Sequence, residues 1–369
     1  METCMFTTAE DLAHFDTWVH AHPYGTLWQS VEWKRYQEAL GRETRIYALK
    51  EGKQILASAL VVIDRTSFGL STWDSPRGPV WGLGIRDWEL GKLVETIILD
   101  AKKDHCFCLY LSPPAALQAT SYKLQASSRH EQPSATRIID LTVSGEDILK
   151  QMKPKGRYNI SVAEKHGIHV GRSEDISAFM RLLKKTGQRD NFSIHSARYY
   201  EAFLKDLPGS FLLLAFSSQT PTPVPSPGGG GVPRRGGVGD TTPVAGLLGV
   251  IWGSKAYYYY GASDYEHRAL MAPYALQWAA MRHCKAAGCT SYDLLGIAPP
   301  AVAEASPSAE ATGDKLASRP DAPPDHPWRG VSGFKEKFGG QVVTYPPEQQ
   351  VILRPMANRL LKIKRKLLG

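Results

Sequence analysis

Val244-Ala245-Gly246-Leu247-Leu248-Gly249-Val250-Ile251-Trp252 and, shortly after it, Ala256-Tyr257-Tyr258-Tyr259-Tyr260-Gly261 decide how this chain folds. Both runs are apolar or β-prone and read as consecutive strands. A helix follows over Ala272–Ala287, stopped by Gly288, and then a strand over Thr290–Leu295. Toward the N-terminus the same order occurs once before. It consists of strand Ile55–Ile63, strand Phe68–Trp73, a helix from about Asp87 to Lys103 with apolar positions Leu90, Leu93, Val94, Ile97 and Ile98, and strand Cys106–Leu111. Strand, strand, helix, strand twice over predicts two copies of one α/β unit.

The rest of the chain fits that frame. Its 369 residues, 43% hydrophobic and 22% charged, suffice for about two domains that bury roughly three quarters of the unfolded surface. Two stretches break the globular composition: Ser217–Pro243, rich in Pro and Gly, and Pro299–Pro327, rich in Ala, Pro and Ser. Both read as disordered loops inserted into folded units. The apolar segments beside the first look like the two arms of one hairpin. Between the copies lies Met152–Ser161, with Lys153, Lys155 and Arg157, followed by a helix near Ile176–Thr186; the second domain is expected to begin there, at about residue 151.

Composition also bounds the function. Five cysteines without disulfide-like spacing, and an N-terminus carrying Glu2, Glu10 and Asp11 in place of a basic signal region, predict a cytoplasmic protein. The longest apolar runs, Phe211–Phe216 and Val244–Trp252, fall short of the about 18 residues a spanning helix needs. The net charge of +8 is concentrated at the C-terminus, where Arg359, Lys362, Lys364, Arg365 and Lys366 alternate with leucines and Ile363. Such a segment either touches an anionic membrane surface or nucleic-acid phosphates, or docks on the body with a solvated cationic face. His105, Cys106 and Cys108, like His283, Cys284 and Cys289, lack the paired spacing of a zinc site. Neither a Gly-x-Ser-x-Gly elbow, a Walker loop nor a strand-borne Gly-x-Gly-x-x-Gly signature is found.

Two segments can carry chemistry. In Tyr257–Ser263, strand alternation puts Tyr258 and Tyr260 on one face, where their hydroxyls could converge on a ligand or their rings could simply cover a sheet. In Gly333-Phe334-Lys335-Glu336-Lys337-Phe338-Gly339-Gly340, two lysines are framed by aromatics and glycines. From the residues alone this is either a turn with solvated lysines or a lysine held to stabilise negative charge during acyl transfer.

A series of short motifs in fixed order resembles the Fem-type (FemABX) peptidoglycan bridge aminoacyltransferases. They are Trp28-Gln29-x-x-x-Trp33-Lys34-Arg35, Pro76-Arg77-Gly78-Pro79-Val80, Lys155–Arg157 with Ala163-x-x-x-Gly167, Arg198-Tyr199-Tyr200, Tyr258–Ser263, Ala272-Pro273-Tyr274-Ala275-Leu276-Gln277, Tyr292-Asp293-Leu294-x-Gly296 and Phe334-Lys335-x-x-Phe338. Each fragment is weak and their ordered combination is specific. The resemblance implies two tandem acetyltransferase-like (GNAT) domains with mixed sheets. The first spans 1–150 and is completed by a returning tail, 342–369; the second spans 151–341. It also implies a compact, monomeric member without the long helical arm of some relatives.

In function, the resemblance implies transfer of an amino acid from aminoacyl-tRNA to the stem-peptide amine of a peptidoglycan precursor, either lipid II or the nucleotide-linked UDP-MurNAc-pentapeptide. Lys34 and Arg35 would meet the precursor diphosphate, and Tyr199 with Tyr258 or Tyr260 would help hold it. Lys335, beside Phe334, would contact the reacting ester and stabilise the tetrahedral intermediate. His195 stands where relatives use an arginine, and imidazole lacks the bidentate fork of a guanidinium, so Arg198 or Arg189 is expected to compensate. An ester donor with a ribose leaving group requires no metal or redox cofactor. Asp293 is a candidate base because it is expected to end a strand. The competing readings are an acyl-coenzyme A N-acyltransferase on the same fold, and a tRNA- or membrane-binding module without catalysis.

Overall fold

The computed structural model describes residues 1–66, 69–82, 84–117, 124–127, 129, 131–217, 242–300 and 326–356. The basic C-terminal segment after 356 and most of the two expected inserts lie outside the described residues.

In chain order the elements are β1 (Glu2–Phe6), α1 (Ala9–Ala21), α2 (Val31–Ala39), β2 (Glu43–Glu51), β3 (Gln54–Arg65), β4 (Ser71–Ser75), β5 (Val80–Trp81), α3 (Asp87–Lys103), β6 (Cys106–Leu111), β7 (Gln125–Ala126) and β8 (Ala135–Asp140). Then come α4 (Gly145–Gln151), α5 (Pro154–Lys165), β9 (Ile168–Ser173), α6 (Ile176–Asp190), α7 (Ala197–Asp206), β10 (Ser210–Ser217), β11 (Pro243–Trp252), β12 (Lys255–Ser263), α8 (Ala272–Ala286), β13 (Ser291–Gly296), α9 (Arg329–Lys335), β14 (Gln341–Thr344) and β15 (Gln349–Ile352).

Local chemistry explains the boundaries. A capping box between Thr8 and Asp11 starts α1, Asp175 caps α6 by accepting the Ala178 N–H, and Gly288 at φ +86° follows the end of α8. The apolar stripe of α3 is buried from Leu90 to Ala101, as its period requires. One expected strand is displaced. Of Phe68–Trp73, Phe68 lies outside the described residues and the strand observed is β4 at Ser71–Ser75, which follows the bond from the Thr66 N–H to the Leu70 carbonyl and Gly69 at φ +70°.

The duplication is longer than the sequence pattern indicated. The first sheet runs β1-β2-β3-β4-β6-β15-β7, with β5 beside β3, and the second runs β9-β10-β11-β12-β13-β8-β14. Both begin with an antiparallel edge strand, continue through two antiparallel pairs, and then place one strand parallel to its neighbour across a helix. The helix pair α1–α2 in one copy has its counterpart in α6–α7. The arms β10 and β11 pair antiparallel, so the first insert does emerge from a hairpin. The sixth position of the first sheet is filled by β15, hydrogen-bonded to β6 by the chain's returning end. In the second sheet the sixth position is filled by β8, which precedes that unit's helices.

By backbone contacts the first unit is Met1–Thr136, Gly296–Trp328 and Val343–Gly369, and the second is Arg137–Leu295 and Arg329–Val342. The division falls at 136 and not near 150, because β8 belongs to the second sheet. The first core packs Leu90, Leu93, Val94, Ile97 and Ile98 of α3 on Tyr47, Leu49, Val61 and Trp73. The second packs Leu276, Ala280 and Met281 of α8 on Leu213, Ala215, Leu247 and Tyr292.

Candidate active site

The two copies differ where a parallel strand pair could open. In the first, β4 is paired with β6 along its whole length, from Ser71↔Cys106 to Ser75↔Leu111. In the second, β12 and β13 are paired only from Lys255↔Ser291 to Tyr257↔Asp293, although β12 continues to Ser263 and β13 to Gly296. Beyond that point the two strands no longer pair with each other. Lys335 occupies this place.

Lys335 ends α9 and is 6% exposed. Its Nζ lies 5.6 Å from the centroid of the Tyr258 ring. Burial drives its pKa down to about 8, while the nearby Asp293 carboxylate acts in the opposite sense. Asp293 is itself buried and accepts the Leu295 N–H at 2.7 Å. It lies inside β13, opposite Tyr257, and does not end the strand. A carboxylate in that position holds the lysine's charge and its own backbone turn.

The segment around Lys335 is fixed by its neighbours. Phe334 meets Tyr274 at 5.2 Å and Phe338 at 5.1 Å, and Phe338 is fully buried. The Lys337 carbonyl accepts the Lys153 N–H at 3.1 Å, and Arg137 donates to the carbonyls of Gly339 and Gly340. Lys337 turns the other way from Lys335 and donates to the Gly333 carbonyl at 2.6 Å. Of the two lysines that the sequence left equivalent, one is enclosed and one caps a carbonyl.

The expected common face for Tyr258 and Tyr260 is not observed. The register between β11 and β12 shifts between Leu248↔Tyr260 and Gly249↔Tyr258, which leaves Tyr259 in a bulge. A bulge adds one residue and reverses the alternation beyond it. Tyr258 faces α8, joins the α8 core and lies under Lys335. Tyr260 faces α7, where its ring contacts Tyr200 and Phe203 at 5.1 and 5.7 Å.

On that face a second constellation forms. The Tyr260 hydroxyl donates to that of Tyr199 at 3.1 Å, and the His195 ring stacks on Tyr199 at 4.0 Å. The His195 N–H donates to the Tyr200 hydroxyl at 3.3 Å. Three of the expected ligand contacts, His195, Tyr199 and Tyr260, are therefore assembled, and Tyr258 is not among them. Of the two expected substitutes for the missing arginine, Arg198 is exposed, whereas Arg189 is held in a double hydrogen bond by Asp190, at 2.7 and 2.6 Å.

Lys34 and Arg35 belong to the first unit, on α2. Lys34 pairs with Glu38, one turn on, and Arg35 is exposed. The motifs around them have an architectural part. Gln29 accepts the Leu60 N–H at 2.8 Å and donates to the Leu60 and Pro76 carbonyls, joining the Trp28-Gln29 and Pro76–Pro79 segments. Arg77, 3% exposed, stacks on Tyr345 at 3.6 Å and donates to the Pro133 carbonyl. The sequence reading missed the enclosed ion group of Asp74, Arg129 and Glu348, because its members are far apart in the chain.

Metal ligation is weakly provided for. Cys106 and Cys108 fall in separate clusters, since β6 is irregular between them. Among the described residues, Asp16, His20 and Glu32 bring ligand atoms within 4.8 Å of one another. There His20 Nε2 is 3.1 Å from Glu32 and 3.6 Å from Asp16, which a bridging imidazole accounts for.

Two units of the same mixed-sheet topology, with a buried lysine where parallel strands part, define a tandem acetyltransferase-like (GNAT) protein. The chain belongs to the FemAB family, whose model matches residues 10–136, 125–216 and 237–366. It is similar to the lipid II:glycine glycyltransferase of Staphylococcus saprophyticus subsp. saprophyticus, with 24% identity over 346 residues covering 78% of this chain and 83% of that protein. The crystal structure of FemX shares its fold, with a TM-score of 0.70 and 18% identity over 98% of this chain and 99% of the other. A tandem GNAT protein from the clavulanic acid biosynthesis pathway matches at a TM-score of 0.50 and 11% identity, over 95% and 98% of the two chains. No helix among the described residues is long and apolar enough to cross a membrane.

Proposed function

We propose that this protein is a peptidoglycan bridge aminoacyltransferase, which moves an amino acid from aminoacyl-tRNA to the stem-peptide amine of a cell-wall precursor. Family membership and the glycyltransferase relatives support the reaction class. The observation that carries the mechanism is the enclosed Lys335 ammonium at the parting of β12 and β13.

In this reading the neutral acceptor amine attacks the ester carbonyl of the donor. The new C–N bond turns the carbonyl oxygen into an oxyanion, which Lys335 stabilises by donating a hydrogen bond in a water-poor setting. Collapse breaks the bond to the ribose oxygen, which leaves with a proton, and the amine nitrogen loses one. Phe334 fixes the lysine's backbone. His195, Tyr199 and Tyr260 hold the precursor, with Arg198 supplying positive charge. The acceptor is lipid II, by analogy with the relatives, and the protein works at the inner face of the membrane.

The deciding experiment incubates the purified protein with a mixture of charged tRNAs and, separately, lipid II or UDP-MurNAc-pentapeptide, and weighs the products. One added aminoacyl mass on a precursor is the expected result. Transfer from acyl-coenzyme A in place of charged tRNA would favour the other enzyme reading, and binding without any mass change would favour a non-catalytic module.

A further inference from the structure

Beneath Lys335 lies a layer of side chains with a definite order. The Tyr258 ring runs back across its own strand over Gly261: a Cβ at 261 would stand 1.8 Å from the Tyr258 hydroxyl oxygen and 2.6 Å from its Cζ. No other residue type leaves room for the phenol in that place. The hydroxyl ends at Gln277 of α8, whose side chain hydrogen-bonds to it. The Oε1 of the same amide accepts the Tyr292 hydroxyl at 2.9 Å. Gln277 is 2% exposed and Tyr292 is fully buried.

This amide therefore ties a phenol on β12 to a phenol on β13, the two strands that separate at Tyr257 and Asp293. Its surroundings are Leu276, Ala280 and Met281, an apolar core in which a buried amide is costly unless both its ends are bonded. Both ends are bonded to phenols, and one of those phenols presents its ring to the ammonium of Lys335. A lysine side chain has four rotatable bonds and no intrinsic preference for this place. An aromatic face under a desolvated cation supplies one.

We propose that Gln277 and Gly261 are positioning residues for Lys335: the amide pins the Tyr258 hydroxyl, the bare backbone at 261 lets the phenol lie flat, and the ring face then holds the ammonium beside Asp293. The inference rests on the reading that Lys335 serves the reacting ester, and adds the device that aims it. Asp293 from β13 and Tyr258 from β12 are the titratable groups that act on Lys335 from the strands around it.

The test reads Lys335 directly, without substrate. Competitive labelling by a trace of acetic anhydride, from neutral to alkaline pH, gives the ionisation of each lysine by mass spectrometry. Tyr258→Leu removes the ring while keeping an apolar filling, and lowers the Lys335 pKa by about one unit. Tyr258→Phe keeps the ring but removes the hydroxyl that the amide pins, and shifts the titration in the same direction by a smaller amount. Gln277→Leu and Gly261→Ala displace the ring and shift the titration in the direction of Tyr258→Leu. In the transfer assay these displaced variants lose about 10-fold in kcat with KM for both substrates unchanged.

Wild-type titration of Lys335 in folded Tyr258→Leu and Gln277→Leu proteins overturns the proposal. If Gly261→Ala does not fold, the Tyr258 and Gln277 variants decide. Failure of the catalytic reading gives a different pattern: Lys335→Met then keeps near-normal turnover, while Tyr258→Leu still moves the titration of Lys335.

Discussion

Lys335 lies beside Asp293 at the end of the β12–β13 pairing, where the parallel strands of the second sheet stop pairing while β4 and β6 of the first stay paired along the whole of β4. The carboxylate favours the lysine's charged form and burial opposes it, with burial prevailing. The balance leaves an ammonium that loses its proton near the upper end of the physiological range.

That balance fixes a pH dependence. Oxyanion stabilisation needs the protonated lysine, so turnover falls as pH rises through about 8. Ionisation of the acceptor amine gives the rising limb on the acid side. Lys335→Arg, whose guanidinium stays charged, removes the descending limb, and Lys335→Met loses on the order of 100-fold in kcat with precursor affinity little changed. A kcat profile against pH for the three proteins checks both expectations. Near-normal turnover in Lys335→Met would refute the role.

The seat of Lys335 can be disturbed from the helix beside it. A Cβ at Gly156 of α5 would stand 2.3 Å from the Lys337 carbonyl oxygen, a backbone atom that cannot swing aside. Gly156→Ala is expected to cost about 1–3 kcal/mol of stability and to reduce kcat by shifting Lys335. Thermal melts and steady-state kinetics on the one variant test the two effects together. A melt and a kcat equal to wild type would show that α5 does not brace the lysine.

His195 stacks on Tyr199 without offering a forked donor. Its replacement by arginine at the head of α7 supplies two parallel N–H groups to a phosphate. His195→Arg should lower KM for a diphosphate-bearing precursor about 10-fold and leave kcat alone, from a charge-assisted bond worth about 1.5–3 kcal/mol. An unchanged KM would place the diphosphate elsewhere.

Asp74, in the first unit, is pushed up to about 6 by burial, against the pull of Arg129 at 3.0 Å. The folded state thus holds this proton more tightly than the unfolded chain. Its stabilising contribution is full below the unfolded value of about 4 and is lost as pH rises through about 6. Asp74→Asn should remove that slope, so that wild type loses about 1–3 kcal/mol relative to the variant between those limits. Denaturant unfolding of both proteins at a series of pH values measures it. A constant difference across the range would mean that Asp74 ionises normally.

Much of this was legible in the chain. The apolar stripe of α3 and the runs of β11 and β12 are periodic over neighbouring residues, and local periodicity is what a sequence states directly. The segment Gly333–Gly340 stood out for two lysines among aromatics and glycines, and only the resemblance to the Fem-type family singled out Lys335. The true length of the repeat was harder to read, since the helix pair α1–α2 shares no obvious pattern with α6–α7.

The sequence by itself determined two α/β units and their central elements, which follow from the spacing of apolar, aromatic and turn residues along short stretches. Tertiary structure alone decided which lysine is enclosed, that Asp293 lies within its strand, and that Tyr258 and Tyr260 part company. The last depends on one bulged residue, Tyr259, whose place is set by the register with Leu248 and Gly249 of the neighbouring strand. A side chain's face is set by the partner strand as much as by its own, and pairing between distant segments is not written in either one.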